Sequence, residues 1–285
     1  MSRISMWFDG GGPFGFGNVK RSQELGAFLA SVGHEVGFHP LSERAEALMT
    51  IPVSRKSVPE VIVLDVPYAG DEVLQEARRS GAKVLALDYE GRLAPDLVVS
   101  LQSVRQLPEG CRAVSGVEYS IIREEIRSLG TQHTKSDDVL IIVGGGDVDG
   151  LSVRIAQALA TGCPRLTVVQ GPAGGELKGL PAHAKVVINP PDLPQRMAGC
   201  AWAVTTGGTT MLEMLCLGKA VHVVPRTVPE EQFARRFEQK GSLLSMGLEN
   251  LSVPNDTRIT VCEKRGPEIV DGQGCQRIAS LIKTL

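Results

Sequence analysis

Short apolar runs recur along the chain at intervals that leave room for one helix between each pair. The first, residues 4–8, leads into a glycine-rich turn. Residues 19–32 follow with Leu25, Phe28, Leu29 and Val32 on one face, the spacing of a helix that covers a sheet. Further runs at 35–38, 60–64, 83–87 and 97–100 predict strands, and residues 71–80 predict a helix closed by Gly81. The runs at 60–64 and 83–87 stop at Asp65 and Asp88. Residues 128–138, SLGTQHTKSDD, are polar and without period, so they read as a linker. A second series then begins. Strands are predicted at 139–143, 165–170, 185–188, 202–205 and 220–224, and helices at 151–160, 193–199, from the threonines after Gly208 through Leu217, and at 230–240.

Strand–helix alternation in both halves predicts parallel sheets with right-handed crossovers. The expected fold class is therefore α/β. Two Rossmann-like, doubly wound domains, residues 1–132 and 137–285, should face a central cleft, the last helix being a candidate to pack back on the first domain. Ligands of such sheets bind outside the carboxyl ends of the strands, and the glycine-rich turns lie at those ends.

Composition narrows the function. A length of 285 residues suits two domains, and 42% hydrophobic with 22% charged residues is ordinary for a soluble protein. A net charge of −2 gives no broad attraction to nucleic acid or to an acidic membrane. The N-terminus lacks a signal-peptide pattern, and no apolar run is long enough to span a bilayer. The six cysteines lack zinc or redox spacing and read as buried free thiols, which suits the cytoplasm. The histidines (His34, His39, His133, His183 and His222) are scattered, so no metal is expected, and no cofactor either.

Four segments carry candidate chemistry. Asp9 to Arg21 (DGGGPFGFGNVKR) joins the first strand to the first helix, and its glycines allow close backbone approach to a ligand. It contains a GxGxxG match at Gly10, Gly12 and Gly15, but no acidic residue ends the second strand to hold a ribose, which disfavours a dinucleotide. Val204 to Glu213 (VTTGGTTMLE) is a strand, a Gly207-Gly208 turn and a helix start whose amides and positive dipole end suit a diphosphate. Thr209 and Thr210 add hydroxyls, and Glu213 could accept hydrogen bonds from a ribose. The competing reading has Thr210 capping the helix and Glu213 completing a capping box. Gly144 to Gly150 (GGGDVDG) follows another strand, with Asp149 readable as an N-cap. Tyr119 to Glu125 (YSIIREE) lies near the end of the first domain.

Taken in order, these segments resemble the nucleotide-sugar hydrolase of pseudaminic acid biosynthesis and the related spore coat polysaccharide proteins, a family itself similar to the lipid II-forming GT-B glycosyltransferases. The opening D-G-S…G-x-G-H-x-x-R pattern is met by Asp9, Gly10, Gly15, Gly17, Asn18 and Arg21. A G-x-x-Y-x-x-[LI]-R-x-E-[FI] segment is met by Gly116, Tyr119, Ile122, Arg123, Glu125 and Ile126. A Gly-Gly-x-D turn is met at Gly144, Gly145, Gly146 and Asp147, and the nucleotide loop at Gly207, Gly208, Thr209 and Glu213. An N-Q-x-x-A-like segment is met loosely at Glu231, Gln232, Phe233 and Ala234. The tail signature V-D-G-x-G-x-x-R-[VI] is met from Val270 to Ile278.

The resemblance implies a GT-B fold and a UDP-sugar ligand in surface-polysaccharide synthesis. Gly145, Gly146, Gly207, Gly208, Thr209, Thr210, Glu213 and Gln232 would hold the nucleotide, and Gly15, Gly17 and Tyr119 the sugar. Asp9, Asn18 and Arg21 would be the catalytic group, with Lys20 and Arg21 alternatively assisting a phosphate. Asn18 stands where the family has histidine, its expected general base, and asparagine does not titrate near neutrality. Three readings follow: a UDP-sugar hydrolase or glycosyltransferase, a UDP-sugar binding protein without turnover, or a subunit that acts with a membrane-associated partner.

Overall fold

The structure is a computed structural model and describes residues 1–11, 17–53, 58–102, 108–131, 137–144, 147, 149–171 and 174–285. The chain divides into two compact units, one made of residues 1–123 with 272–285 and the other of residues 124–271.

Unit 1 is a parallel sheet of six strands in the order β2-β1-β3-β4-β5-β6. The strands are β1 (Arg3–Phe8), β2 (Glu35–Pro40), β3 (Val61–Asp65), β4 (Lys83–Leu87), β5 (Leu97–Ser100) and β6 (Arg112–Ser115), with α1 (Gly17–Ser31), α2 (Glu43–Ala47) and α3 (Asp71–Arg79) in the connections. Every residue of β3 and β5 is buried, as expected of parallel strands covered on both faces. Helix α1 begins at Gly17, two residues before the predicted start, and buries Val19, Gln23, Leu25, Gly26 and Leu29. A Cβ at Gly26 would lie 2.6 Å from the Phe38 ring, so glycine there lets the helix sit close on β2.

The last helix, α10 (Gly274–Ile282), belongs to unit 1: Cys275, Ile278, Ala279 and Ile282 share a core with Met6, Phe8, Leu25 and Leu29. It docks on the 3-10 turn Val117–Tyr119. A Cβ on Gly274 would stand 2.1 Å from the Ser120 carbonyl oxygen, and Arg277 Nη1 donates to the Glu118 carbonyl at 2.8 Å. The motif around Tyr119 and the tail signature, about 150 positions apart in sequence, are therefore two sides of one packing contact.

Unit 2 is a parallel five-stranded sheet ordered β11-β10-β7-β8-β9. Its elements are α4 (Glu124–Arg127), β7 (Val139–Ile142), α5 (Leu151–Ala158), β8 (Leu166–Gln170), β9 (Ala184–Ile188), α6 (Leu193–Gly199), β10 (Trp202–Thr205), α7 (Thr209–Cys216), β11 (Val221–Val223), α8 (Val228–Gln239) and α9 (Asp256–Ile269). Its core joins Ile141, Ile155, Leu166, Val168, Trp202, Val204 and Cys262. Helices α2, α9 and α10 and strand β6 are absent from the pattern of apolar runs: α2 is one turn long and β6 opens with exposed Arg112. Part of the predicted linker, 132–136, lies outside the described residues. All six cysteines are free thiols, four of them buried. Among the described residues no helix is long and apolar enough to cross a membrane.

Because the atom facing Gly274 is backbone, Gly274→Ala has no side chain that can yield. Overpacking of this kind costs about 1–3 kcal/mol. The expected outcome is a lower urea midpoint with loss of hydrogen-exchange protection in α10. An unchanged midpoint would show the tail to be loosely docked.

Candidate functional site

Each sheet reverses its winding at one place, and there the loops from two adjacent strands part and leave a crevice at the carboxyl edge. In unit 1 that place lies between β1 and β3, and in unit 2 between β10 and β7.

In unit 1, Asp65 ends β3 and is fully buried. Its carboxylate accepts from Asn18 Nδ2 at 2.7 Å, from Arg21 Nε and Nη2 at 2.8 and 2.6 Å, and from Ser22 Oγ at 2.9 Å. Arg21 reaches on through Nη1 to Asp88 at 2.6 Å, beyond the end of β4. Asp88, whose backbone is left-handed at φ 45°, also accepts from the Ser100 hydroxyl and the Leu101 amide beyond β5. Burial would raise the Asp88 carboxyl and depress Arg21. Their mutual charge, with Asp65, outweighs both, so Asp88 is held below the usual carboxylate range and Arg21 above its own.

Two consequences concern the catalytic candidates. Arg21 forms a two-toothed pair with Asp65 and a further bond to Asp88, so its charge is neutralised twice. Asn18 can offer only its amide nitrogen to a carboxylate, which leaves its carbonyl oxygen as the group available elsewhere. Asp9, 6% exposed, accepts from its neighbour Gly10's amide, from Ser42 Oγ at 2.5 Å and from Tyr68 Oη at 3.2 Å. The Tyr68 hydroxyl is pushed up to about 12 by burial and by the Asp9 charge. Gly17 is exposed at the start of α1, while Gly15 and Gly12 lie outside the described residues. Tyr119 packs against the unit 1 core beside α10.

In unit 2, the chain leaving β7 at 143–144 and that leaving β10 at 206–208 flank the crevice. Gly145 and Gly146 lie outside the described residues. Asp147 is buried, and its carboxylate takes the Leu151 and Ser152 amides at 2.8 and 3.0 Å, which fills the α5 helix start with a protein anion. Gly150 is the N-cap of α5, and Asp149 instead pairs with Arg226, so the reading of Asp149 as an N-cap is corrected. Helix α8 is capped by Thr227. Helix α7 differs: its N-cap is Gly208, which makes no side-chain cap, and Thr209 and Thr210 lie inside the helix. The capping-box reading of Thr210 is thereby overturned. Gly207 packs on the chain at Glu230, where a Cβ would be 2.7 Å from the carbonyl oxygen, whereas the space beside Gly208 is open. At the base of this turn, Thr205 Oγ1 is the buried side-chain polar atom left without a hydrogen-bond partner among the described residues. Glu213 is 4% exposed, one turn along α7.

A cavity of about 470 Å³ adjoins the crevice beyond β11, lined by Arg154, Arg226, Glu231, Arg235, Met246 and Leu248 among others. Arg226 is paired with Asp149 and Arg235 with Glu231, so two of its three arginines are already compensated. Gln232 points to solvent on α8 and is not part of that lining. No group of three or more His, Cys, Asp and Glu among the described residues is placed to hold a metal ion. Asp65, Asp88 and Tyr68 were not singled out by sequence. The available signal was that two strands of one parallel sheet each end in aspartate.

No family model matches the chain. It is similar to the spore coat polysaccharide biosynthesis protein SpsG of Bacillus subtilis (strain 168), 21% identical over 336 residues, which cover 99% of this chain and 98% of that protein. Solved structures share its architecture along the whole length. Acinetobacter baumannii MurG superposes with a TM-score of 0.67 at 15% identity, covering 99% of this chain and 100% of that one. Anabaena Alr3699/HepE, in complex with UDP-glucose, gives 0.65 at 13%, again covering 99% and 100%. VinC, a glycosyltransferase in complex with DTDP, gives 0.63 at 13% over 99% and 98%. The fold is GT-B. Its two Rossmann-like domains correspond to the two parallel sheets described above.

Asp65→Asn should destabilise the protein by roughly 3–5 kcal/mol, because it leaves Arg21 part-buried with one partner removed. Urea unfolding measures this, and a loss under about 1 kcal/mol would mean the pair is not held as described. The pH dependence has a definite sign. With Asp88 depressed, its contribution is present above about pH 4 and is lost as pH falls through its lower folded value. Asp88→Asn should flatten that acid limb.

Proposed function

We propose that this GT-B chain binds a UDP-sugar, with the diphosphate at the start of α7 in unit 2, and acts at the anomeric carbon in surface-polysaccharide synthesis. The observation that carries the reading is the open start of α7 at the unit 2 switch point. Of the helices that begin beside that crevice, α5 is filled by Asp147, while α7 has only Gly208 in front of it. Amides and a positive dipole end directed at a crevice suit a leaving diphosphate without a metal. Thr209 and Thr210 supply hydroxyls, Glu213 the ribose contact, and Gly145, Gly146 and Gln232 complete the nucleotide set by resemblance. That Alr3699/HepE is solved with UDP-glucose and VinC with DTDP supports a nucleoside diphosphate. The likeness to SpsG supports a place in polysaccharide assembly.

Titrating wild-type protein with UDP by calorimetry tests this directly. Saturable binding at one site per chain is expected, and Glu213→Ala should weaken it by about 1.5–3 kcal/mol, the value of a charged hydrogen bond. UDP that fails to bind wild type sinks the reading. UDP that binds Glu213→Ala equally well removes only the ribose assignment.

Water and an acceptor hydroxyl alike must lose a proton as they attack the anomeric carbon. Asn18 can orient a hydroxyl through its carbonyl oxygen but cannot take a proton, and Asp9 already accepts three hydrogen bonds. Slow hydrolysis by the native chain follows. Asn18→His would place an imidazole beside Asp65, and a positioned base contributes roughly a hundred- to ten-thousand-fold. A rise of that order in UDP release from a UDP-sugar, with affinity little changed, is the expected result. Fast native hydrolysis would contradict this account of Asn18.

A further inference from the structure

We propose that Tyr68 is a stacking platform for a pyranose ring, held in position by Asp9; this rests on the nucleotide-sugar reading and adds a contact that it did not contain. Tyr68 lies on the loop that leaves β3 at the unit 1 switch point, three positions after Asp65. The chain has three tyrosines. Tyr89 is 4% exposed with its hydroxyl on Asp71, and Tyr119 packs on the core, whereas Tyr68 is 38% exposed. Its hydroxyl is bonded to a carboxylate that is itself buried and fixed by Ser42 and the Gly10 amide. The far end of the loop is also fixed. Gly70 has φ +74°, and a Cβ there would lie 2.8 Å from Val66 Cγ2. The side chain thus has a tethered polar tip while the residue remains 38% exposed, an arrangement that loses little freedom on binding.

The charges around it choose the ligand class. Among the described residues Asp65 and Asp88 share the Arg21 guanidinium, and Asp9 accepts from Gly10, Ser42 and Tyr68. Carboxylates in this number disfavour an anionic group. A neutral ring with C–H bonds on one face and hydroxyls at its rim matches an aromatic face, whose quadrupole is negative, and matches the Asn18 carbonyl oxygen as an acceptor. Asp9 on this reading is a positioning residue.

The test uses the full chain, a panel of UDP-hexoses and UDP-N-acetylhexosamines beside UDP itself, and the corresponding methyl glycosides, with Tyr68→Ala, Tyr68→Phe, Asp9→Ala and the double variant Asp9→Ala/Tyr68→Ala. Calorimetry reads the nucleotides and saturation-transfer NMR the glycosides, with the thermal midpoint as the folding control. The expected result is a roughly tenfold loss of sugar-dependent affinity in Tyr68→Ala and retention within about threefold in Tyr68→Phe, which keeps the ring. Asp9→Ala should weaken sugar binding alone but add nothing once Tyr68 is alanine, a coupling that a purely structural role would not produce. Loss confined to UDP-sugars assigns the ring of the donor, and loss with methyl glycosides assigns that of an acceptor. The proposal is overturned if Tyr68→Ala changes neither by more than twofold, or if no sugar alters binding to wild type. Glycoside binding that depends on Tyr68 in a chain that ignores UDP would instead remove the nucleotide reading and leave the platform standing.

Discussion

Parallel pairing obliges every strand of a sheet to deliver its carboxyl end to the same edge. Once that holds, the place where the winding reverses is where neighbouring loops must diverge, and no other part of the edge offers the same opening. Both sheets of this protein obey the constraint. In unit 1 it brings Asp9, Asn18, Asp65 and Tyr68 to the diverging loops after β1 and β3. In unit 2 it brings the Asp147 turn and the Gly207-Gly208 turn together after β7 and β10. The chemistry of each unit is whatever side chains the sequence places at those two openings.

The openings are electrostatically unlike. Unit 1 concentrates carboxylates around a single guanidinium, and Arg21 is spent in binding Asp65 to Asp88 across neighbouring strands. Such a network fixes geometry, because a buried carboxylate with four donors has no alternative arrangement of comparable energy. In unit 2 the α7 start at the switch point has no side-chain cap, whereas α5 takes Asp147 and α8 takes Thr227. One edge therefore suits neutral polar ligands, and the other suits an anion.

Close backbone approach is the second recurring device. Gly26 admits the Phe38 ring, Gly274 admits the Ser120 carbonyl and Gly266 on α9 admits the Leu215 carbonyl, each at a distance no Cβ would tolerate. Gly274 lies in the tail signature: with Arg277 it holds α10 to the turn before Ser120, so residues 272–285 complete the core of the first unit.

The sequence by itself determined the strand–helix alternation, the parallel sheets and the glycine turns at their carboxyl ends. Those properties are local, set by apolar runs, period and turn residues, and they led to the α/β class and to the segments flanking each switch point. It could not determine partnership between distant residues. That Asp65 takes Asn18 and Arg21 and that Tyr68 leans on Asp9 depend on side chains 44 to 59 positions apart. Strand order decided which of them meet. The same reason hid α2, β6, α9 and α10: α2 spans five residues, β6 exposes its ends, and α9 buries only Cys262 and Gly266, so none carries an apolar stripe as wide as that of α1. Helix α10 has an apolar face, but only the tertiary structure assigned it to unit 1, since the partner that Gly274 needs lies at Ser120.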